Sequence, residues 1–141
     1  VRELCVRYKV ELKDKNVLVV GSGRLVGAPG AAWFRTQGAR VVVADNPHEP
    51  IAPYVQKADV VLSGAGHASL IKKDMVQNGV VLFDAGASES KGMIVGDVDP
   101  ACAEHAALLT PVPGGIGPMT VAILFKNLYV LQKKSKRYVS L

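Results

Sequence analysis

The sequence predicts an α/β protein: a doubly wound parallel sheet, three layers thick, in a single domain. Three observations predict it. Short β-branched apolar runs alternate with segments of helical period. The connections between them are short. The 141 residues suit one domain with a sizeable core.

The elements follow in order. Residues 1–9, with Leu4 and Val6, read as already inside a helix that has no N-cap. Val17 to Val20 is a continuous β-branched run ending in Gly21, as a strand buried on both faces requires. Leu25 to Gln37 reads as a helix stopped by Gly38. Val41–Val43 is a second strand, Pro50 to Lys57 a short helix, and Asp59 to Leu62 a third strand. Ile71 to Gln77 reads as helical, and Val80 to Phe83 as a fourth strand. Met93–Val95 reads as a short extended segment, Ala101 to Ala106 as a helix, and Ala107 to Thr110 as a fifth strand. The last helix starts near Pro118 and runs to about Lys134. Val121, Leu124, Phe125, Leu128 and Leu131 fall on one face of it, expected to be buried. The whole of 1–141 is expected to be a dinucleotide-binding domain, the C-terminal part of a longer two-domain chain. Its first ten residues form a linking helix and 133–141 a basic tail.

Composition excludes several classes. With 49% apolar residues and a net charge of only +5, the chain is not a disordered one. No apolar run approaches the roughly 20 residues of a membrane helix, so no membrane partner is expected. No secretory leader opens the chain, and Cys5 and Cys102 show no zinc spacing and no disulfide framework. The expected compartment is the cytoplasm, with the mitochondrial matrix left open. Four bases cluster at Lys133, Lys134, Lys136 and Arg137. A solvated helix end accounts for them, and without interleaved aromatics no nucleic-acid partner is expected.

The first strand runs into Gly21-Ser22-Gly23-Arg24-Leu25-Val26-Gly27, a G-x-G-x-x-x-G loop between strand and helix. A tight turn and a bare backbone let a diphosphate approach a helix N-terminus, where free N–H groups and the dipole meet its charge. This makes the expected sheet Rossmann-like. Asp45 ends the second strand 22 positions beyond Gly23. A carboxylate there accepts from the ribose hydroxyls of NAD and repels the 2′-phosphate of NADP. Arg24 could pair with a diphosphate or a 2′-phosphate, or simply face solvent. NAD is therefore the favoured cofactor and NADP the alternative.

Thr110-Pro-Val-Pro-Gly-Gly-Ile-Gly-Pro-Met-Thr120 is the densest feature. Prolines stiffen it and glycines remove side chains, so backbone can lie against a flat ligand at low entropic cost. It opens the last helix at the same sheet edge as the phosphate loop. An ordinary strand-to-helix connection is the plainer reading. Other residues have plain readings too. His48, His67 and His105 lack metal spacing, and none is taken as a ligand. His67, after the glycine-rich end of the third strand, is the one that could approach the nicotinamide side. Asp84 is expected to bond nearby backbone, Asp97 and Asp99 to form turns and caps, Cys102 to fill core, and Trp33 to pack against it.

Val20-Gly21, Val26-Gly27-Ala28-Pro29, Gly96-Asp97-Val98-Asp99 and the run from Thr110 to Thr120 resemble the methylenetetrahydrofolate dehydrogenase/cyclohydrolase family. The resemblance covers residues 4 to 132 and matches that family's C-terminal NAD(P)-binding domain. It implies a two-domain enzyme of one-carbon folate metabolism that moves a hydride from 5,10-methylenetetrahydrofolate to NAD(P). Hydrolysis of the methenyl product by a cyclohydrolase activity is left open. It places the catalytic lysine, its tyrosine and most pterin contacts in a preceding domain, so no catalytic residue is assigned here and the isolated chain is expected to be inactive. It puts Pro113, Gly114, Gly115, Ile116 and Gly117 beside the folate substrate. Gly21, Ser22, Gly23, Arg24, Val26, Asp45, Asn46, Gly66, Ala87 and Thr120 fall on the cofactor side, with Ala87 and Asn46 at family contact positions. It also implies a homodimer. This chain departs from the family where Gly21-Ser22-Gly23 replaces a usual Gly-Arg-Ser, Asp45-Asn46-Pro47 replaces His-Ser-Arg, and Ala85-Gly86-Ala87-Ser88 replaces Gly-Ile-Asn. The first two changes remove partners for a 2′-phosphate. A non-catalytic dinucleotide-binding or sensor module is the alternative function, and a Rossmann domain of another pterin or shikimate-type oxidoreductase a third.

Overall fold

The computed structural model describes residues 1–45, 49–90 and 92–135. Five strands form one parallel sheet: β1 (Asn16–Val20), β2 (Arg40–Ala44), β3 (Val60–Ser63), β4 (Val81–Asp84) and, after a two-stranded excursion, β7 (Leu108–Leu109). Their order is β2-β1-β3-β4-β7. The chain steps outward from β1 to β2, then returns to the other side of β1 for β3, with Val17 opposite both Val41 and Val60. The reversal creates a crevice outside the carboxyl ends of β1 and β3, where ligands bind in this architecture.

Alternation along the strands builds two cores. Val17, Val19, Val60, Leu62 and Phe83 face α1 (Arg2–Arg7) and α2 (Gly27–Thr36), which contribute Leu4, Cys5, Ala31 and Phe34. Leu18, Val20, Val61 and Leu82 face the other way. There they meet Val55 of α3 (Ala52–Val55), Ile71, and Cys102 of a 3₁₀ turn (Pro100–Glu104). Phe34 and Phe83 are wholly buried. The continuous β-branched runs are thus explained by cover on both faces. Trp33 lies partly buried against the first core and Cys102 fully within the second, as their plain readings expected.

Several expectations are corrected. The opening helix spans only Arg2–Arg7, because Lys9 adopts a positive φ of 53° and turns the chain toward β1. The crossover helix starts at Gly27, after a turn over 24–26, two residues later than periodicity suggested. Ile71 to Gln77 is not a helix but a 3₁₀ turn at Lys73–Met75. Ile71 forms a parallel bridge to Val98: its N–H donates to Asp97 O and its carbonyl accepts from Asp99 N, so its backbone groups are committed sideways. Residues 101–106 likewise hold a 3₁₀ turn rather than a helix. The segment Met93–Val95 is a real strand, β6, paired antiparallel with an unforeseen β5 (Ser88–Ser90).

The largest correction concerns the last helix, α4 (Ile116–Ser135). Val121, Leu124, Phe125, Leu128 and Leu131 are 56–67% exposed rather than buried. Only the first turn, through Ile116 and Met119, packs on the core beside α1 and α2. Farther along, Lys126 pairs with Glu3 at 3.4 Å. The periodicity is correct, but no described residue covers that face. Of the basic tail, Lys133 and Lys134 end α4, while Lys136 and Arg137 lie outside the described residues.

The tightest contact in the fold gives a direct check. A Cβ on Gly27 would sit 1.9 Å from the Gly21 carbonyl oxygen, which is backbone and cannot swing away. Gly27→Ala is expected to cost about 2–3 kcal/mol, read as a lowered denaturation midpoint at unchanged slope.

Candidate functional site

The site is built where β1, β2 and β3 end. One further backbone bond carries each pairing past the strand: Gly21 N–H donates to Ala44 O, Gly64 N–H to Val20 O, and Ala85 N–H to Ser63 O, at 2.8, 3.0 and 2.8 Å. Gly21 then turns away with φ +89°, and a Cβ there would lie 3.0 Å from Gly64 O. The two loops pass backbone against backbone. Val26 packs beside them, and a Cβ on Gly64 would meet its Cγ1 at 2.7 Å. The loop from Gly21 to Val26 is thereby pinned between β3 and the start of α2.

These loops enclose a cavity of about 460 Å³. Its floor is apolar, from Val20, Ala44, Ile51, Ala65 and Leu70. Gly21, Ser22 and Gly23 form one wall, and Asp45, Glu49 and His67 bring its ionisable groups. An apolar slot with a few convergent polar groups suits a flat aromatic ring carrying a polar sugar. The N–H groups of Gly23 and Arg24 have no partner among the described residues, and no Cβ or side chain fills the space beside Gly23. Bare, unpaired donors beside a helix start fit a diphosphate. Two details qualify the simple helix-terminus picture. Pro29 removes one donor from the first turn of α2, and Ala28 N–H is spent on Gly23 O at 3.1 Å. The donors therefore come from the loop more than from the helix.

Asp45 is held in place. Ser22 N–H donates to its Oδ1 at 3.0 Å and the Ser22 hydroxyl donates to Oδ2. These two bonds, the hydroxyl first, keep the exposed carboxyl below the ordinary aspartate range. Ser22 is thus the residue that orients the acid.

The β3 loop is set by a buried carboxylate. Asp97, fully buried, accepts from Ser63 Oγ at 2.7 Å and from the N–H groups of Ala65, Gly66 and His67 at 2.8, 3.2 and 2.8 Å. Beside it Asp84 accepts from Gly86, Asp97 and Val98 N–H at 2.9, 3.1 and 2.9 Å. Burial pushes the Asp84 carboxyl up, against those bonds, and the Asp97 charge pushes the same way. Asp84 thus bonds nearby backbone, as expected. Asp99 caps the 3₁₀ turn by accepting from Ala101 N–H. Asp97 does more than turn a corner, since it ties the β6 end to the wall of the cavity. Its distance of 30 residues or more from that wall hid this role in the sequence.

Of the expected cofactor set, Gly21, Ser22, Gly23 and Asp45 line the cavity. Gly66 lies between the lining residues Ala65 and His67. Arg24 and Val26 stand on the same loop outside the lining, Arg24 exposed. Ala87 follows β4 and is exposed, and Thr120 spends its hydroxyl on Ile116 O within α4. Neither lines this cavity. Asn46 and His48 lie outside the described residues. His67 Nδ1 lies 3.0 Å from Ala65 O, and His105 Nδ1 lies 2.5 Å from Asn78 Oδ1. Among the described residues no group of three or more His, Cys, Asp or Glu could hold a metal ion, and no helix is long and apolar enough to cross a membrane. The loop over Pro113, Gly114, Gly115, Ile116 and Gly117 is compact. Gly114 has φ +103°, and a Cβ on Gly115 would fall 2.3 Å from Pro111 O. Its base is tied to β4, because Thr110 Oγ1 accepts from Asp84 N–H at 2.7 Å. Sequence reasoning missed Glu49, Pro50, Ile51 and Leu70 in the cavity lining. An acid and a proline after a strand carry no periodicity that would mark them.

Residues 1–136 match the family described as tetrahydrofolate dehydrogenase/cyclohydrolase, NAD(P)-binding domain. The bifunctional protein FolD of Lactobacillus acidophilus is 41% identical over 128 residues, which are 90% of this chain and 45% of that protein. That of Methanosarcina barkeri is 44% identical over 121 residues, 85% of this chain and 42% of the other. Among solved structures, the Trypanosoma brucei methylenetetrahydrofolate dehydrogenase-cyclohydrolase, complexed with NADP cofactor and inhibitor, superposes with a TM-score of 0.90 at 36% identity. It covers 96% of this chain and 49% of that one. The chain spans about half the length of the curated relatives it matches.

Two outcomes test the site. Ser22→Ala should raise the Asp45 carboxyl pKa back toward the ordinary value, followed by carbon-detected NMR titration of the side chain. Asp97→Ala should cost about 3–5 kcal/mol in chemical denaturation, because it strands a buried hydroxyl and three backbone donors.

Proposed function

Because the chain belongs to the NAD(P)-binding domain family of tetrahydrofolate dehydrogenase/cyclohydrolase, we propose that it is the cofactor half of a methylenetetrahydrofolate dehydrogenase. The observation that carries this reading is the cavity at the β1–β3 crevice, with its bare Gly21–Gly23 wall and its serine-held Asp45. Gly23 and Arg24 N–H would hold the diphosphate, Asp45 the adenosine ribose, and the apolar floor the adenine. The loop from Pro113 to Gly117, with Ala87 and Thr120 nearby along the chain's family pattern, would border the nicotinamide and the folate. When bound, a nicotinamide cofactor would supply the acceptor for the hydride of the methylene carbon. The chain's own task is to orient the ring and exclude water, which lowers the barrier through positioning.

NAD is the preferred cofactor in this proposal. Ser22 stands where the family usually has arginine, and its two donors are occupied by a carboxylate. A 2′-phosphate would meet a negative group instead of a positive one. The catalytic lysine and most pterin contacts come from the other half of the protein. The uncovered face of α4, from Val121 to Leu131, is a large apolar stripe of the kind that marks an interface, and that other half is its proposed cover. A cyclohydrolase activity is proposed for the whole protein as well, because the curated relatives are named bifunctional. The homodimer is proposed to use the β5–β6 ribbon, where Met93 and Ile94 are 65% and 59% exposed beside an unpaired strand edge. The proposed compartment is the cytoplasm. The rival reading is a non-catalytic dinucleotide-binding or sensor module, which would use the same cavity without the catalytic-lysine domain.

Side-by-side calorimetric titration tests the proposal. NAD should bind more tightly than NADP, and Asp45→Ser should narrow the difference by about tenfold. Tighter binding of NADP by the unaltered chain would overturn the assignment of Asp45. Turnover of methylenetetrahydrofolate by the whole protein, with none by a sensor module, separates the two functions.

A further inference from the structure

The cavity holds a second carboxylate that the reading above does not use. Glu49 lies four residues beyond Asp45 and lines the same space. A glutamate on an exposed connection would ordinarily sample many rotamers. Here the Tyr54 hydroxyl donates to its Oε1. Tyr54 stands on α3, its ring half-buried against the core that contains Leu18, Val20 and Val55. The ring is thus fixed by packing, and through it the carboxylate is fixed at the cavity wall. The hydroxyl is a dependable donor, because the Glu49 bond and the Glu49 charge both push its ionisation above the ordinary tyrosine range.

The arrangement is therefore paired. A hydroxyl from the glycine loop holds Asp45, and a hydroxyl from α3 holds Glu49. Both acids line one cavity, and no lysine or arginine is among its described lining residues. Among those described lining residues His67 is the one other ionisable group. One carboxylate suffices to accept from a ribose diol. A second adds no needed acceptor, but it doubles the number of carboxylates lining the cavity.

We propose that Glu49, positioned by Tyr54, is a second specificity-determining residue that turns away dinucleotides carrying a 2′-phosphate. This rests on the reading of the cavity as a dinucleotide site. A phosphate monoester bears about −1.5 to −2 charges near neutrality, whereas a free 2′-hydroxyl bears none. The repulsion acts on NADP and spares NAD. It acts through solvent-exposed groups, so it weakens as salt shortens the screening distance to a few ångströms.

The test is calorimetric titration of NAD and of NADP into the full chain, unaltered and as Glu49→Gln, Tyr54→Phe and Asp45→Ser. Each is measured at about 0.02 M and about 0.5 M salt, where screening differs severalfold. Glu49→Gln should strengthen NADP binding by about five- to tenfold at low salt and move NAD by less than about twofold. Tyr54→Phe should shift NADP in the same direction by less, since it frees the carboxylate without removing it. The gain from Glu49→Gln should shrink at high salt. An unchanged NADP affinity in Glu49→Gln, or equal weakening of both dinucleotides, overturns the inference; the latter would make Glu49 an ordinary ligand contact. The two levels fail separately. If Asp45→Ser narrows the NAD–NADP gap while Glu49→Gln does not, the role of Glu49 alone falls. If neither dinucleotide binds the unaltered chain, the cavity reading falls and takes this inference with it.

Discussion

The structure depends on a contact that contains no side chains. At the carboxyl end of β1 the backbone of Gly21 lies against Gly27, where a methyl group could not enter, and against Gly64, where a Cβ would sit at a tight 3.0 Å. That contact brings α2 down onto the sheet, opens the crevice at the point where strand order reverses, and leaves loop N–H groups without a partner among the described residues beside the cavity. Glycine contributes nothing to the hydrophobic core, so this approach is sustained by its surroundings. Phe34 and Ala31 anchor the far turns of α2 against Val17, Val19 and Leu62. The cores on both sheet faces stabilise a loop that has little stability of its own.

A second constraint fixes the opposite wall. Asp84 and Asp97 are buried side by side, which desolvation opposes. The cost is offset because seven hydrogen bonds reach the two carboxylates, six from backbone N–H groups and one from the Ser63 hydroxyl. Gly86 and Gly96 complete the fit. A Cβ on Gly86 would overlap the Asp97 carboxylate, and one on Gly96 that of Asp84. Such a network tolerates few alternatives, since removing one member strands several polar groups away from water. Its effect is geometric. Residues 65–67 are held at the cavity by a side chain from beyond β6, so the excursion through β5 and β6 is bound into the site rather than appended to the sheet.

Much of this was legible in the residues. Val17 to Val20 and Asp59 to Leu62 carry the burial on both faces that a parallel sheet needs, and the structure places strands there within a residue. The spacing from Gly23 to Asp45 marked the acid for a ribose, whereas its bond to the loop itself, through Ser22, had no signal in the residues. What escaped was set by distant partners. Ile71 has helical neighbours in sequence, but Asp97 and Asp99 take its backbone bonds. Glu49 carries no local pattern, and only the folding of α3 brings Tyr54 to it. Asp97 looked like a turn residue because its other partners are about thirty positions away.

α4 shows the limit of periodicity in its clearest form. Val121, Leu124, Phe125, Leu128 and Leu131 recur at the spacing of one helical face, and that spacing is real. Periodicity reports that a face is destined for burial but says nothing of which body buries it. Within these residues the sheet and its two helical layers are already complete, with Ile116 and Met119 spending the first turn of α4 on the core. The remaining stripe has no counterpart among the described residues. Leaving so many large apolar side chains in water forfeits the burial that would stabilise a 20-residue helix. The stripe begins about one turn beyond the Pro113–Gly117 loop, where a Cβ on Gly114 or Gly117 would meet nothing within 4 Å.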